Sequence, residues 1–436
     1  MQHAGQPMTK DANLEQADVL IVGAGAAGLM AAIWAGRAAK GLTERKARIV
    51  ALDGANKIGA KILVAGGGRC NVTHHAISER DYAASSRNAV RSVLRRWPVE
   101  RTVEFFRDLG VHLKREDTGK LFPTTDRART VLDALLTAAH DAGAEIRHPA
   151  RVETVTPTDQ GFEIAGEWGA VQAPRVIIAA GGKALPRSGS DGHGYKLVRA
   201  LGHTVTERIF PSLVPLILDA DSPLRALAGI AAPARLELRS AAGKRLLSFE
   251  NATLCTHFGI SGPGPMDISR YYTDARHADP GAHLVANWLP GLGRETADAE
   301  LRALGRKAIA PWLRARLPDR LADTLIEIAG VPHDRTGAEL RKDERRALLD
   351  AVFEHRLPIT GDRGFTHAET TAGGVPLAEV DLSTMHSRAH PNLHLCGEIL
   401  DVDGRIGGFN FQWAWATGHL AGVAAAQSLE STPAPP

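Results

Sequence analysis

Cysteine is scarce in this chain. Its 436 residues hold only Cys70, Cys255 and Cys396, an odd count with no CxxC spacing, which argues against a disulfide framework or a zinc site and fits reduced thiols of a cytoplasmic protein. An excess of charge of one sign is missing too. Fifty-two basic residues against 49 acidic ones leave +3, a near-neutral balance that permits RNA but weighs against it as a partner. No apolar run reaches spanning length, and residues 1–17 are polar, with Lys10, Asp11 and Glu15, so neither a signal peptide nor a membrane segment is expected. The 18 histidines offer no pair at zinc-ligand spacing, and no G-x-S-x-G stretch occurs. Metal-dependent hydrolysis and serine catalysis are therefore unsupported, and no metal is expected. Aromatic residues are only 5% of the chain, yet 44% is hydrophobic, enough for a large core divided among two or three domains.

What is abundant is glycine, at 44 residues, and its placement is informative. Val19 to Val22 form a buried-strand run that leads into Gly23-Ala-Gly25-Ala26-Ala27-Gly28, with a helix expected over Ala26 to Lys40. Strand, glycine turn and helix in that order suit a pyrophosphate, which the exposed N–H groups and positive end of the helix attract. The next strand ends in Asp53, 25 residues after Gly28, where a carboxylate can meet a ribose diol. An adenosine diphosphate moiety is the expected guest.

The loop Gly59 to Thr73 carries Gly66, Gly67 and Gly68 before Arg69, Cys70 and Asn71, and it reads as too glycine-rich for a stable helix. Its backbone can approach a planar or phosphorylated ligand, with Lys61 and Arg69 supplying charge. Residues 84–110 have helical period, with Arg87, Arg91 and Arg95 stacked on one face, a pattern that is usually solvated and can also take phosphates. A small hairpin spans Val111 to Pro123, a helix follows over Arg129 to Ala142, and Arg175 to Ala180 reads as a parallel strand ending in Gly181 and Gly182. Ala180 and Gly181 are then a second wall for the nucleotide. From about Ser212 the pattern turns to period two, and 292–357 turns helical. Asn392 to Cys396 resembles a further buried strand, and Gly408 to Gln427 a closing helix. At its start Gly407 and Gly408 can bring N–H groups to a ring oxygen, Gly397, Glu398 and Asp401 lie just after the strand, and Asn410 and Gln412 can face the ring.

The combination of Gly23 to Gly28, Gly66-Gly-Gly-Arg-Cys-Asn71, Lys120-Leu-Phe-Pro123, Ala180-Gly-Gly182 with Asp191-Gly192, Thr256 to Pro263 and Gly397-Glu398 through Gln412 resembles the BaiN/YhiN-like family of NAD(P)/FAD-dependent oxidoreductases across nearly the whole chain. The resemblance implies an α/β fold. A glutathione-reductase-type FAD-binding Rossmann domain would carry an inserted antiparallel β domain and an inserted helical domain, and would hold noncovalent FAD. The expected organisation is a disordered start (1–17), the FAD domain in two parts (18–211 and 373–428), the β domain (212–290, returning at 358–372), the helical domain (291–357) and a tail (429–436). By position, Gly23, Gly25, Ala26, Ala27 and Gly28 fall to the pyrophosphate and Asp53 to the adenosine ribose. Gly68, Arg69 and Cys70 fall to the cofactor edge, Val152 to the adenine through its backbone, and Asp401 with Gly408, Phe409 and Asn410 to the flavin. Asp53 stands where the family commonly has Glu, and no second GxGxxG follows a strand, so NAD(P)H has no recognisable docking domain.

A flavin carries hydride chemistry itself, so no triad is required. His257, in a Gly/Ser/Pro loop, is the proton-donor candidate, weighed against a purely structural histidine. The expected activity is NAD(P)H-driven reduction of a small hydrophobic substrate. An RNA-modifying or RNA-binding flavoprotein, and a flavin-binding redox protein without a small-molecule substrate, stand as alternatives.

Overall fold

The computed structural model describes residues 14–42 and 46–429. Most of both expected disordered ends lies outside the described residues. Residues 14–17 depart from that expectation: Glu15–Gln16 pair in parallel with Val171 and Gln172, and Glu15 is gripped by Arg48 and Arg147. Two compact units emerge, one running up to Arg208 and resuming at Gly373, the other Ile209–Ala372.

The first unit is built on a seven-stranded sheet in which five adjacent strands are parallel, in the order Leu393–Leu395, Arg175–Ile178, Val19–Val22, Ile49–Leu52, Ala144–Arg147, the last forming one edge. All but the last of these are wholly buried, which is why they read as continuous apolar runs rather than alternating ones. The chain runs outward in one direction from Val19–Val22 and later fills the other side. Strand order therefore reverses between Val19–Val22 and Arg175–Ile178, the switch point where ligands collect at carboxyl ends in such sheets.

Two helices from opposite ends of the sequence pack together on this sheet, Ala26–Ala39 and Phe409–Gln427. Glycine permits their approach: a Cβ at Gly418 would stand 2.4 Å from the Ala27 carbonyl oxygen, and one at Gly422 2.4 Å from that of Ala31. The expected helix over 84–110 is two, Arg87–Arg96 and Val99–Asp108, broken at Pro98, which caps the second. The loop expected over 59–73 begins instead as a helix, Ala60–Gly68, whose helical geometry fails at Ala65, Gly66 and Gly67, where the glycines take positive φ.

The second unit holds a seven-stranded antiparallel sheet, centred on Ala231–Arg239 and Arg245–Thr256, and the helices Pro263–Ala278, Arg294–Ala303, Ile309–Arg314, Asp319–Ile328 and Lys342–Phe353. Strand residues such as Leu236 and Leu284 share one cluster with Leu321 and Leu348 of the helices, so sheet and helices form one compact unit.

Candidate cofactor site

The glycine turn after Val22 assigns each glycine a different constraint. Gly23 has φ +97°, and a Cβ there would lie 2.6 Å from the Ala179 carbonyl oxygen, so the turn admits no side chain. Gly28 abuts the turn itself, its Cβ position falling 1.8 Å from the Gly23 carbonyl oxygen. Gly25 is different. It is the N-cap of the helix, has no side-chain cap and no acid in the first turn behind it, and a Cβ there would meet nothing within 4 Å. Tight turn, free approach and close packing are the three separate demands of a pyrophosphate cradle. Ala26 and Ala27 open the helix, Ala27 packed beneath Gly397, whose Cβ position is 2.7 Å away.

Asp53 stands beside this cradle and braces it. Its Oδ2 accepts the Ala24 N–H at 2.7 Å and its Oδ1 the Ala55 N–H at 2.8 Å. The Asp53 carbonyl accepts from Ala150 N at 2.6 Å, which brings the buried Val152 segment alongside. Opposite, Gly181 (φ +71°) follows the strand Arg175–Ile178, and Ala180 packs against Gly194 of the helix His193–Ala200.

The far segments converge on the same carboxyl ends. Lys61 Nζ and Glu398 Oε2 form an ion pair at 2.7 Å across 337 positions of sequence. Gly397, φ +78°, donates its N–H to Thr417 Oγ1 at 2.9 Å and accepts from Trp413 Nε1 at 3.2 Å. Gly408, φ +93°, starts the closing helix and sits so tightly on Thr73 that a Cβ would lie 2.6–2.8 Å from its backbone. Gly407 precedes it at φ +132°, and Phe409 stacks on His74 with centroids 5.0 Å apart. Gly67 (φ +68°) has open space where a Cβ would be, and Gly68 follows at φ +84°.

Several polar groups are already engaged. Arg69 pairs with Glu116 at 2.6 Å and lies over the Phe122 ring at 4.0 Å. Asn410 exchanges two hydrogen bonds with the backbone of Gly404, at 2.8 and 2.9 Å. Gln412, expected to face the ring, is instead fully buried: Oε1 accepts from Thr73 at 2.7 Å and Thr102 at 2.9 Å, and Nε2 donates to the Trp97 carbonyl at 3.0 Å. Its amide braces the shell around the helix because its face of that helix is turned toward Trp97 and Thr102. Cys70 is buried, and burial pushes its thiol up to about 12, the opposite of an activated thiolate. Asn71 is only 7% exposed, and its Oδ1 has no hydrogen-bond partner within the protein. Such an orphaned acceptor on a glycine loop fits a ligand that brings a donor. His257 is exposed, on the turn between Arg245–Thr256 and Gly259–Ser261 in the second unit, where its carbonyl accepts from Arg225 at 2.9 Å.

Sequence reasoning missed Tyr195. Its buried hydroxyl lies 3.4 Å from the Gly373 carbonyl, and burial, reinforced by the negative charges of Glu398 and Asp401, holds the phenol well above its ordinary range. It keeps its proton at any physiological pH. A hydrolase-like array also escaped notice: His203 bridges Glu379 and Ser387 at 2.7 Å each. Ser387 is 2% exposed and already accepts the N–H groups of Ala389 and His390, so this array is a brace on the sheet edge and no nucleophile. Among the described residues there is no cluster of metal-ligating side chains and no helix long and apolar enough to cross a membrane.

A parallel sheet with a glycine turn at its switch point defines a dinucleotide-binding Rossmann protein. The chain belongs to the HI0933-like Rossmann domain family, whose model matches residues 17–424. It is 34% identical over 412 residues to the 3-dehydro-bile acid delta(4,6)-reductase of Clostridium scindens, covering 93% of this chain and 98% of that protein. It is 31% identical over 407 residues to the ribosomal RNA dihydrouridine synthase of Escherichia coli, with 93% and 96% covered, and 30% identical to the Haemophilus influenzae protein of the same name, with 93% and 97% covered.

Proposed function

We propose that this protein is an FAD-dependent oxidoreductase that adds hydrogen across a carbon–carbon double bond conjugated to a carbonyl on a small hydrophobic molecule, with NAD(P)H as electron donor. The observation that carries the reading is the meeting, in one unit, of a pyrophosphate cradle (Gly23, Gly25, Gly28) with a second glycine-started helix (Gly407, Gly408) from the other end of the sequence. A ligand with a nucleotide at one end and a ring system at the other uses both. The unpartnered Asn71 Oδ1 supports the fit, since the imide N–H and ribityl hydroxyls of a flavin are donors. The reductase relative supports the bond type.

When bound, FAD supplies the hydride. The protein's part is placement. Gly25 would let the helix N–H groups reach a pyrophosphate, and the first turn after Gly408 would offer N–H groups and positive dipole to a flavin ring as it gains negative charge. Lys61 and Glu398 tie the glycine loop to the strand end that bears Gly397.

A second reading is favoured by two specific observations. Two relatives named for dihydrouridine in ribosomal RNA match the chain as completely as the bile acid reductase does, and the C5=C6 bond of uracil is likewise conjugated to a carbonyl. Arg87 and Arg95 are exposed on one helix face, although Arg91 between them is paired with Glu79. In this reading RNA replaces the small molecule and the flavin chemistry is unchanged.

The test is anaerobic stopped-flow mixing of the FAD-loaded protein with NADH and with NADPH, followed by enone-type acceptors and by unmodified ribosomal RNA. Bleaching of the flavin band within seconds and reoxidation by the enone support the first reading. Reoxidation by RNA alone, with salt-dependent RNA binding, moves the second to the front. A flavin that neither donor reduces removes the nicotinamide step.

A further inference from the structure

Ser190 lies between the turn Pro186–Ser188 and the helix His193–Ala200. The residue is 6% exposed, and its hydroxyl makes no hydrogen bond within the protein. A buried hydroxyl left unpaired carries the full cost of its lost hydration, so a partner is expected from outside the chain.

Its neighbours identify that partner. On one side is Gly181, whose Cβ position would lie 3.0 Å from Ser190 Oγ, at the end of the strand that abuts the Gly23 turn. On the other side Gly189, φ +94°, places its own Cβ position 3.7 Å from Asp53 Oδ1 and 3.4 Å from the Ala55 Cβ. The segment Gly189-Ser190 therefore lies between the end of the strand beside the Gly23 turn and Asp53, the acid expected to meet a ribose. Asp53 has the shorter side chain, and both its oxygens already accept backbone N–H groups. A carboxylate can only accept, whereas each hydroxyl of a ribose diol both donates and accepts. The acceptor capacity of the diol is left for another group.

We infer that Ser190 binds the adenosine ribose of the dinucleotide, its hydroxyl donating to a diol oxygen while the diol donates to Asp53. This rests on the dinucleotide reading of the site. It adds a nucleotide-binding residue immediately before the Asp191-Gly192 pair.

The experiment is calorimetric titration of wild-type and Ser190→Ala apoprotein with FAD, with ADP and with the 2′- and 3′-deoxy forms of ADP, alongside melting of the apoproteins. Ser190→Ala is expected to weaken FAD and ADP by about tenfold, one hydrogen bond's worth, with the apoprotein melting temperature unchanged or slightly raised, because no internal partner is lost. One of the two deoxy ligands is expected to show no further loss in the variant. Ser190→Cys, which keeps the volume and weakens the donor, is expected to show the same pattern. Wild-type affinity for ADP in both variants overturns the inference, as does an undiminished loss with both deoxy ligands, which would place the contact on the pyrophosphate. A lower apoprotein melting temperature with unchanged affinity makes Ser190 structural. Failure of the wild type to bind either FAD or ADP overturns the dinucleotide reading itself, a result distinct from a wild type that binds and variants that match it.

Discussion

Gly25 and Gly28 sit one helical turn apart, yet alanine at the two positions should do opposite things. At Gly28 the new Cβ would stand 1.8 Å from the Gly23 carbonyl oxygen, 1.2 Å (3.0 − 1.8) inside the 3.0 Å below which such contacts are essentially never seen. The obstructing atom is backbone, so the helix Ala26–Ala39 must move off the sheet that it covers. Overpacking of that kind costs about 3 kcal/mol, a large share of the stability of an ordinary domain. At Gly25 the Cβ would enter open space and φ is −74°, so the fold loses only the preference of an N-cap for glycine over alanine, about 1 kcal/mol or less. The ligand meets that methyl instead. Displacing a pyrophosphate from the first N–H groups forfeits two charge-assisted hydrogen bonds, about 3 kcal/mol or roughly a hundredfold in affinity. Urea titration of the apoproteins and calorimetric titration with ADP separate the two effects. Wild-type ADP affinity in Gly25→Ala, or wild-type stability in Gly28→Ala, would refute the assignment of distinct roles to the two glycines.

Gln412→Leu should destabilise the first unit by about 3 kcal/mol, since it leaves the hydroxyl protons of Thr73 and Thr102 and the Trp97 carbonyl without their partner inside the protein. Chemical denaturation measures it, and a loss under about 1 kcal/mol would mean that these groups find other partners. Burial pushes the imidazoles of His355, His394 and His419 down to about 4 each. Their folded pKa lies below the unfolded value of 6.5, so the associated stability is present above pH 6.5 and is lost as pH falls toward about 4. The unfolding free energy should drop across that window with a slope approaching three protons, and His394→Gln with His419→Gln should flatten it.

Where the constraint on a residue follows from local backbone geometry, the sequence was readable. Gly23, Gly25 and Gly28 each answer to a constraint within one turn of chain, and the parallel strands announce themselves as short apolar runs. The loop at Gly66 to Gly68 was legible as a place of positive φ, but not the helical turn Ala60 to Val64 before it, which Lys61 anchors to a residue 337 positions away. Gln412 and Ser190 escaped for the same reason. One looks like a site residue and is a brace, the other looks like a turn residue and has an unpaired hydroxyl, and the difference lies in which distant side chains or backbones surround them. Tyr195 carries no local signal at all, its surroundings being set by Glu398, Asp401 and Gly373.

The contact of Gly418 and Gly422 with Ala27 and Ala31 has a consequence in time. During synthesis the strand Val19–Val22 and its helix are made before Ile209–Ala372, and the helix Phe409–Gln427 that packs on Ala26–Ala39 only after it. Ile209–Ala372 is continuous in sequence and owns its core, so it can fold while the first unit waits. Until that helix is made, the face of Ala26–Ala39 that it covers lacks its partner. A unit closed by segments this far apart in sequence depends on slow, non-local closure.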